Sequence, residues 1–273
     1  MENENTEQKS PYLPKISPAP QSHIGASIAV LSGKGGVGKS FTSCYLATKL
    51  RRKGYKVGIL DADITGPSVP FAFGVKGPVT STSQDFFYPI KSKTGIEIMS
   101  SNLLMNNPED PIIWRGPMIG SLCQQFYTDV VWDVDFLIID MAPGTSDVSL
   151  TVFQNVSLAS AILVATPQNL VSLIVEKSAK MADMLSVPLV SLVENMAYVK
   201  CPHCNERIDI YGKADPLIAS RHGIPHFDEV PFDKDIAEHM DKGAIEDLEN
   251  DYLDETVQAI IDSAKDLIGE PKE

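Results

Sequence analysis

Apolar residues along the chain collect into short runs, each closed by Gly, Pro, Asp or Asn and followed by a stretch with helical spacing. Runs such as Ile28–Leu31, Val57–Leu60 and Phe136–Ile139 are continuous rather than alternating, the pattern of strands covered on both faces. The spacing predicts strands near 28–32, 57–61, 96–99, 135–140, 160–166, 188–194 and 227–230, with helices over Phe41–Arg52 and Pro117–Thr128. Such alternation predicts an α/β fold: a doubly wound, mainly parallel sheet flanked by helices. From Ile245 to Ile268, Leu248, Tyr252, Leu253, Val257, Ile260, Ile261, Ala264 and Leu267 recur at helical spacing, which predicts a C-terminal amphipathic helix. Residues 1–23 are polar, carry Pro11, Pro14, Pro18 and Pro20 and contain no apolar run, so a disordered arm is expected ahead of one domain over 24–273.

At 273 residues and 43% hydrophobic content, the chain can bury one sizeable α/β core. A net charge of −13 argues against a nucleic-acid surface, which needs clustered Lys and Arg. The largest basic cluster, Lys49–Lys53, ends a helix, where cations suit the dipole. No segment has the h-region of a signal peptide or the ~20 apolar residues of a membrane span, so a cytoplasmic protein is expected.

Directly after the first predicted strand, Gly33-Lys34-Gly35-Gly36-Val37-Gly38-Lys39-Ser40 matches the pattern GxxxxGK[ST] at every fixed position. The glycines let successive backbone N–H groups turn inward around a β-phosphate, where side chains would block the approach. Lys39 then neutralises β- and γ-oxygens, Ser40 offers its hydroxyl to Mg²⁺, and the N–H of Phe41 stays within reach of phosphate. The chain is therefore expected to bind ATP with Mg²⁺.

Two strand ends supply carboxylates. Val57–Asp61 leads into Ala62-Asp63, and Phe136–Ile139 ends in Asp140, at the carboxyl edge where open α/β sheets place ligands. Asp63 is assigned to the attacking water, Asp61 to a supporting place near Mg²⁺ or to capping the next turn, and Asp140 to the Mg²⁺ site at one remove. In the turn Ala142-Pro143-Gly144-Thr145, the Gly144 N–H is positioned to sense a γ-phosphate.

Cys201-Pro202-His203-Cys204 lies in a polar loop near 199–206. Two thiolates at this spacing make a metal clamp, a redox pair or a disulfide; the long α/β region before the pair disfavours the second, and a cytosolic setting the third. Two metal versions stay open. Cys201 and Cys204 with His222 and His226 resemble a zinc finger with too long a spacer. Alternatively two thiolates from each of two subunits provide the four cysteines of a [4Fe-4S] cluster. Cys44 and Cys123 fall in predicted helices and read as core residues. His203 is expected to face solvent.

Lys34, inside the loop, is similar to the extra lysine of the deviant phosphate loops of the MinD, ParA and nitrogenase iron protein group. There it reaches a partner's nucleotide, which implies a nucleotide-dependent homodimer. From about Ile24 to Gly243 the chain resembles the Mrp-type, or ApbC-type, ATPases, regarded as iron-sulfur cluster carriers. The matching segments are Gly33–Ser40, Asp61-Ala62-Asp63 with Gly66-Pro67-Ser68, Trp114-Arg115-Gly116-Pro117-Met118, Pro143-Gly144-Thr145, Thr166-Pro167-Gln168, and Val193-Glu194-Asn195-Met196 before the CPxC pair. The resemblance implies slow ATP hydrolysis, a cluster on Cys201 and Cys204 at a homodimer interface, apo iron-sulfur proteins as recipients, and Asn195 as reader of adenine. Phe41 for threonine, Tyr45 for asparagine, Met141-Ala142 for leucine-proline and Ser146 for glycine depart from the family pattern and bear on hydrolysis rate more than on binding.

The two other readings are a zinc-stapled ATP-dependent protein switch and a MinD- or ParA-type positioning ATPase. The latter would need a basic lipid-binding helix or a DNA-binding face, and Asp247, Glu249, Asp251, Asp254 and Glu255 put acid there instead.

Overall fold

The computed structural model describes residues 15–64, 66–81, 86–104, 116–144, 152, 154–167, 171–211 and 217–268. The strands are β1 (His23–Ser32), β2 (Val57–Asp61), β3 (Thr80–Ser81), β4 (Phe87–Tyr88), β5 (Ile90–Lys91), β6 (Glu97–Met99), β7 (Asp133–Asp140), β8 (Ser160–Ala165), β9 (Leu189–Asn195), β10 (Val199–Lys200), β11 (Arg207–Ile208) and β12 (His226–Val230). The helices are α1 (Lys39–Arg52), α2 (Val69–Ala72), α3 (Gly116–Thr128), α4 (Val171–Met184), α5 (Leu217–Arg221), α6 (Lys234–Asp241) and α7 (Asp254–Ala264).

Eight strands form one sheet in the order β12-β9-β8-β1-β7-β2-β6-β5. Its pairings are parallel except for the edge pair β5–β6. The α/β, doubly wound expectation therefore holds. Each apolar run became a strand because helices cover both faces, and two apolar clusters fill the space. One contains Ile28, Val30, Ile59, Ile138 and Val164 under α1 and α7; the other contains Leu31, Leu60, Ile139 and Leu163 with Phe126 of α3 and Val175 of α4. Cys44 and Cys123 sit in these cores, as the sequence predicts.

Two boundaries differ from expectation. Residues 15–22, assigned to a free arm, are docked: Ala19 is buried, the Ile16 N–H donates to Asn155 O at 2.8 Å and Lys15 Nζ to Val156 O at 2.9 Å. The arm's residues 1–14 lie outside the described residues.

The single C-terminal helix over 245–268 is instead a short 3₁₀ turn at Ile245–Asp247, an extended strap, and α7. Helical spacing of the apolar residues survives because Leu248, Leu253, Val257 and Ile260 are all buried. The strap breaks the helix because α1 captures its backbone. Tyr45 Oη lies 3.3 Å from Leu248 O and 3.2 Å from Asn250 O, Lys49 Nζ donates to Asn250 O, and Arg52 Nη2 donates to Glu246 O and Leu248 O. Leu253 then enters α7 at φ 66°.

Candidate functional site

The nucleotide cradle lies where β1 ends and α1 begins, at the carboxyl edge of the sheet. Gly36 and Gly38 hold φ of 76° and 85°, in the left-handed region that lets the loop curl over the helix N-terminus. Gly33–Ser40 is thus a loop of backbone N–H groups opening onto a cavity of about 290 Å³. Lys34, Lys39, Ser40, Phe41, Asp63 and Pro143 line it, and so does Met240 of α6. Lys34 is exposed at the rim. The Phe41 ring stacks on Tyr45 with centroids 5.7 Å apart, so the aromatic departure from threonine packs inward.

Asp140, fully buried at the end of β7, gathers the loop's polar side chains. Its Oδ1 accepts from Lys39 Nζ at 2.7 Å and from Ser43 Oγ at 2.8 Å, and its Oδ2 accepts from Ser40 Oγ at 2.6 Å. Lys39 is itself only 6% exposed, so the pair is a desolvated, hydrogen-bonded ion pair. Asp61 is opposite Asp140 in the β2–β7 register and is also fully buried. Its oxygens accept from the N–H groups of Asp63 and Val69 and from Ser100 Oγ. Burial and the charge of Asp140 lift its carboxyl from 3.8 to about 8. This pair of acidic oxygens beside a serine hydroxyl is the donor set that a hard divalent cation takes, so the residues fit Mg²⁺. Asp140 bonds the Ser40 hydroxyl directly, and Asp61 stands behind it.

The Gly144 N–H, expected to sense phosphate, donates to Ser32 O at 2.7 Å. Asn195 is 4% exposed, and its amide donates to Val37 O at 2.9 Å; a Cβ on Gly38 would lie 1.9 Å from that amide nitrogen. As placed, Asn195 braces the loop from beneath rather than facing an open base site. Thr145, Ser146, Trp114, Arg115 and Gln168 fall outside the described residues.

The cysteines stand apart on a hairpin. β10 and β11 pair antiparallel, Cys201 N–H donates to Glu206 O, and Asn205 N–H returns to Cys201 O, each at 2.9 Å. Arg207 fixes the hairpin to β12 through two bonds to Glu229 at 2.5 and 3.0 Å and lies over the Tyr198 ring at 4.1 Å. Cys201 is partly exposed; Cys204 and His203 are exposed. Backbone N–H groups of His203 and Cys204, with the Cys204 thiol, lower the pKa of Cys201, which favours thiolate. Among the described residues no three or more Cys, His, Asp or Glu side chains converge as a metal site. His222, just after α5, and His226, on β12, are not gathered with Cys201 and Cys204 into such a group. The hairpin presents two free thiols, Cys201 and Cys204.

Comparison with known proteins agrees with this geometry. The family described as NUBPL iron-transfer P-loop NTPase, of the ParA group, matches residues 23–267. The chain belongs to this family. Curated relatives of the chain include the iron-sulfur cluster carrier protein of Clostridium perfringens, 43% identical over 81% of this chain and 80% of its own length. A second is the cytosolic Fe-S cluster assembly factor Nubp2 homolog of Drosophila virilis, 43% identical over 76% and 80%. Among solved structures, an ADP-bound nucleotide-binding protein from Archaeoglobus fulgidus is 38% identical, covers 84% of this chain and 90% of its own, and superposes with a TM-score of 0.75. MinD of Pyrococcus horikoshii, at 18% identity and a TM-score of 0.56 over 89% and 96%, shares the fold.

Sequence reasoning missed Ser43, Ser100 and Met240. Ser43 carried a signal, lying one turn after Lys39 and Ser40 on the same helix face. Ser100 and Met240 reach the site only through the fold.

Proposed function

We propose that the chain is an ATP-binding and hydrolysing iron-sulfur cluster carrier that holds a [4Fe-4S] cluster between two copies and passes it to apoproteins. The observation that carries this reading is the CPxC hairpin: two accessible thiols, one biased toward thiolate, with no further ligand beside them among the described residues. Four thiolates complete the cluster only when a second hairpin meets the first. The relatives' names agree with a cluster as cargo.

In this account Gly33–Gly38 and the Phe41 N–H cradle the phosphates, while Lys39 leaves Asp140 for the β- and γ-oxygens. Ser40, Asp140 and Asp61 hold Mg²⁺, which supplies charge neutralisation on the phosphates. Asp63, on the cavity wall, orients the water, and Lys34, exposed at the rim, reaches the partner subunit's nucleotide. Gly144 senses γ-phosphate by giving up Ser32 O, and Asn195 reads adenine only after its amide releases Val37. Hydrolysis is slow and sets cluster loading or release.

Among the described residues no helix is long and apolar enough to cross a membrane. The acidic charge balance supports a carrier that binds neither nucleic acid nor an anionic membrane surface, and the proposed setting is the cytoplasm.

The test is transfer: cluster-loaded protein mixed anaerobically with an apo-ferredoxin, with ATP, ADP or neither, in wild type and Lys39→Ala. Nucleotide-dependent transfer lost in Lys39→Ala is expected. Transfer indifferent to both nucleotide and variant would sink the coupled reading.

A further inference from the structure

Three side chains donate to Asp140, and two of them are needed elsewhere once nucleotide arrives. Lys39 and Ser40 line the cavity; Ser43 does not, lying one turn deeper in α1 and fully buried. The Ser43 hydroxyl has one proton and two acceptors within reach. Asp140 Oδ1 is at 2.8 Å and the Lys39 carbonyl oxygen at 3.1 Å. The nearer acceptor is the charged one, and a charge-assisted bond is the stronger. When Lys39 is drawn to phosphate, Oδ1 loses its 2.7 Å cation. When Ser40 gives an oxygen lone pair to a metal, its hydroxyl moves with it and no longer fixes Oδ2 as the 2.6 Å bond did. A carboxylate so stripped inside a desolvated site is costly and free to rotate.

We propose that Ser43 is a positioning residue for Asp140: its hydroxyl holds Oδ1 after Lys39 and Ser40 have left, so that Oδ2 stays turned toward the metal. Ser43 thereby sets how tightly the nucleotide complex holds Mg²⁺, and leaves the metal-free affinity for nucleotide alone. The Lys39 carbonyl oxygen, at 3.1 Å, is a second acceptor within reach, so the buried hydroxyl is not stranded if Asp140 turns. The inference rests on the reading of Asp140 as a carboxylate of the Mg²⁺ site.

The experiment titrates fluorescent ATP in EDTA, then titrates Mg²⁺ into the ATP-bound protein to find the half-maximal concentration for tightening. Wild type, Ser43→Ala, Ser43→Cys, Ser43→Thr and Asp140→Asn are compared in the full chain. Ser43→Ala is expected to bind ATP in EDTA within about twofold of wild type and to need about tenfold more Mg²⁺, the scale of one lost bond to a charged acceptor. Ser43→Cys keeps the volume with a weak donor and should fall between; Ser43→Thr keeps the hydroxyl and should match wild type.

The proposal is overturned if Ser43→Ala and Ser43→Cys leave the Mg²⁺ requirement unmoved while Asp140→Asn raises it. It is equally overturned if Ser43→Thr moves it as far as Ser43→Ala, which would make the effect one of packing. If Asp140→Asn itself leaves the Mg²⁺ requirement unchanged, the reading of Asp140 fails first and the role of Ser43 with it.

Discussion

Replacing Asp61 by asparagine should make the protein progressively more stable than wild type as pH rises from 5 to 7.5. The wild-type carboxyl is fully buried, and burial with the neighbouring charge of Asp140 raises it from 3.8 to about 8. An unfolded chain gives up this proton near pH 4, whereas the folded protein keeps it to near pH 8. Between those values the folded state binds one more proton, so stability falls as pH rises, by at most about 1.4 kcal/mol per unit. From pH 5 to pH 7.5 this amounts to at most about 3 kcal/mol. Asparagine is neutral throughout and removes the slope. It also replaces one of two oxygens that accept from Asp63 N–H, Val69 N–H and Ser100 Oγ, at a cost of about 1 kcal/mol. The ~1 kcal/mol cost applies below pH 4, so the variant should be about as stable as wild type near pH 5 and up to about 3 kcal/mol more stable at pH 7.5. Urea unfolding in EDTA without nucleotide, at several pH values, reads the difference directly. A difference that stays constant with pH would refute an Asp61 carboxyl that stays protonated through the neutral range.

Further expectations follow from the strap, the thiols and one close backbone contact. Tyr45→Phe removes a hydroxyl that bonds Leu248 O, Asn250 O and Asn250 N–H, so it should cost about 1–2 kcal/mol in urea unfolding and speed amide exchange across 248–254. In cluster-free native protein, Cys201 and Cys204 should react with a disulfide reagent while buried Cys44 and Cys123 wait for denaturant, and Cys204→Ser should raise the pH at which Cys201 reacts. Gly243, at φ 67°, would place a Cβ 2.6 Å from the Gly74 Cα, so Gly243→Ala should lose at least about 2 kcal/mol by thermal or urea unfolding.

The sheet was legible because parallel strands covered on both faces have no polar positions to spare, and the runs ending in Asp61 and Asp140 proved to be neighbouring strands in register. The phosphate loop was legible because glycine there answers a backbone demand that few other arrangements make. What stayed hidden depends on contacts between distant segments. The apolar spacing of 245–268 was read as one helix, since burial looks alike whether a helix or a strap delivers it. Only Tyr45, Lys49 and Arg52 reaching for strap carbonyls show the break. The Cys–His spacing suggested zinc, yet strand pairing of β12 with β9 fixes His226 in the sheet, and no group of three or more such ligands gathers among the described residues. The bond from the Asn195 amide to Val37 O could not be foreseen, because it joins the end of β9 to the phosphate loop across 158 residues of chain. Residues 15–22 lacked an apolar run, but a single buried alanine and a few backbone bonds suffice to dock them.

The central claim is that the two hairpin thiols of each subunit form half of a shared cluster site. Iron, acid-labile sulfide and zinc per subunit, measured with solution mass after anaerobic reconstitution of wild type and the Cys201→Ala/Cys204→Ala variant, test it most directly. The account predicts a dimer with about two irons and two sulfides per subunit, lost in the variant. A variant that keeps its cluster, or a wild type that holds one zinc per monomer and no sulfide, would contradict it.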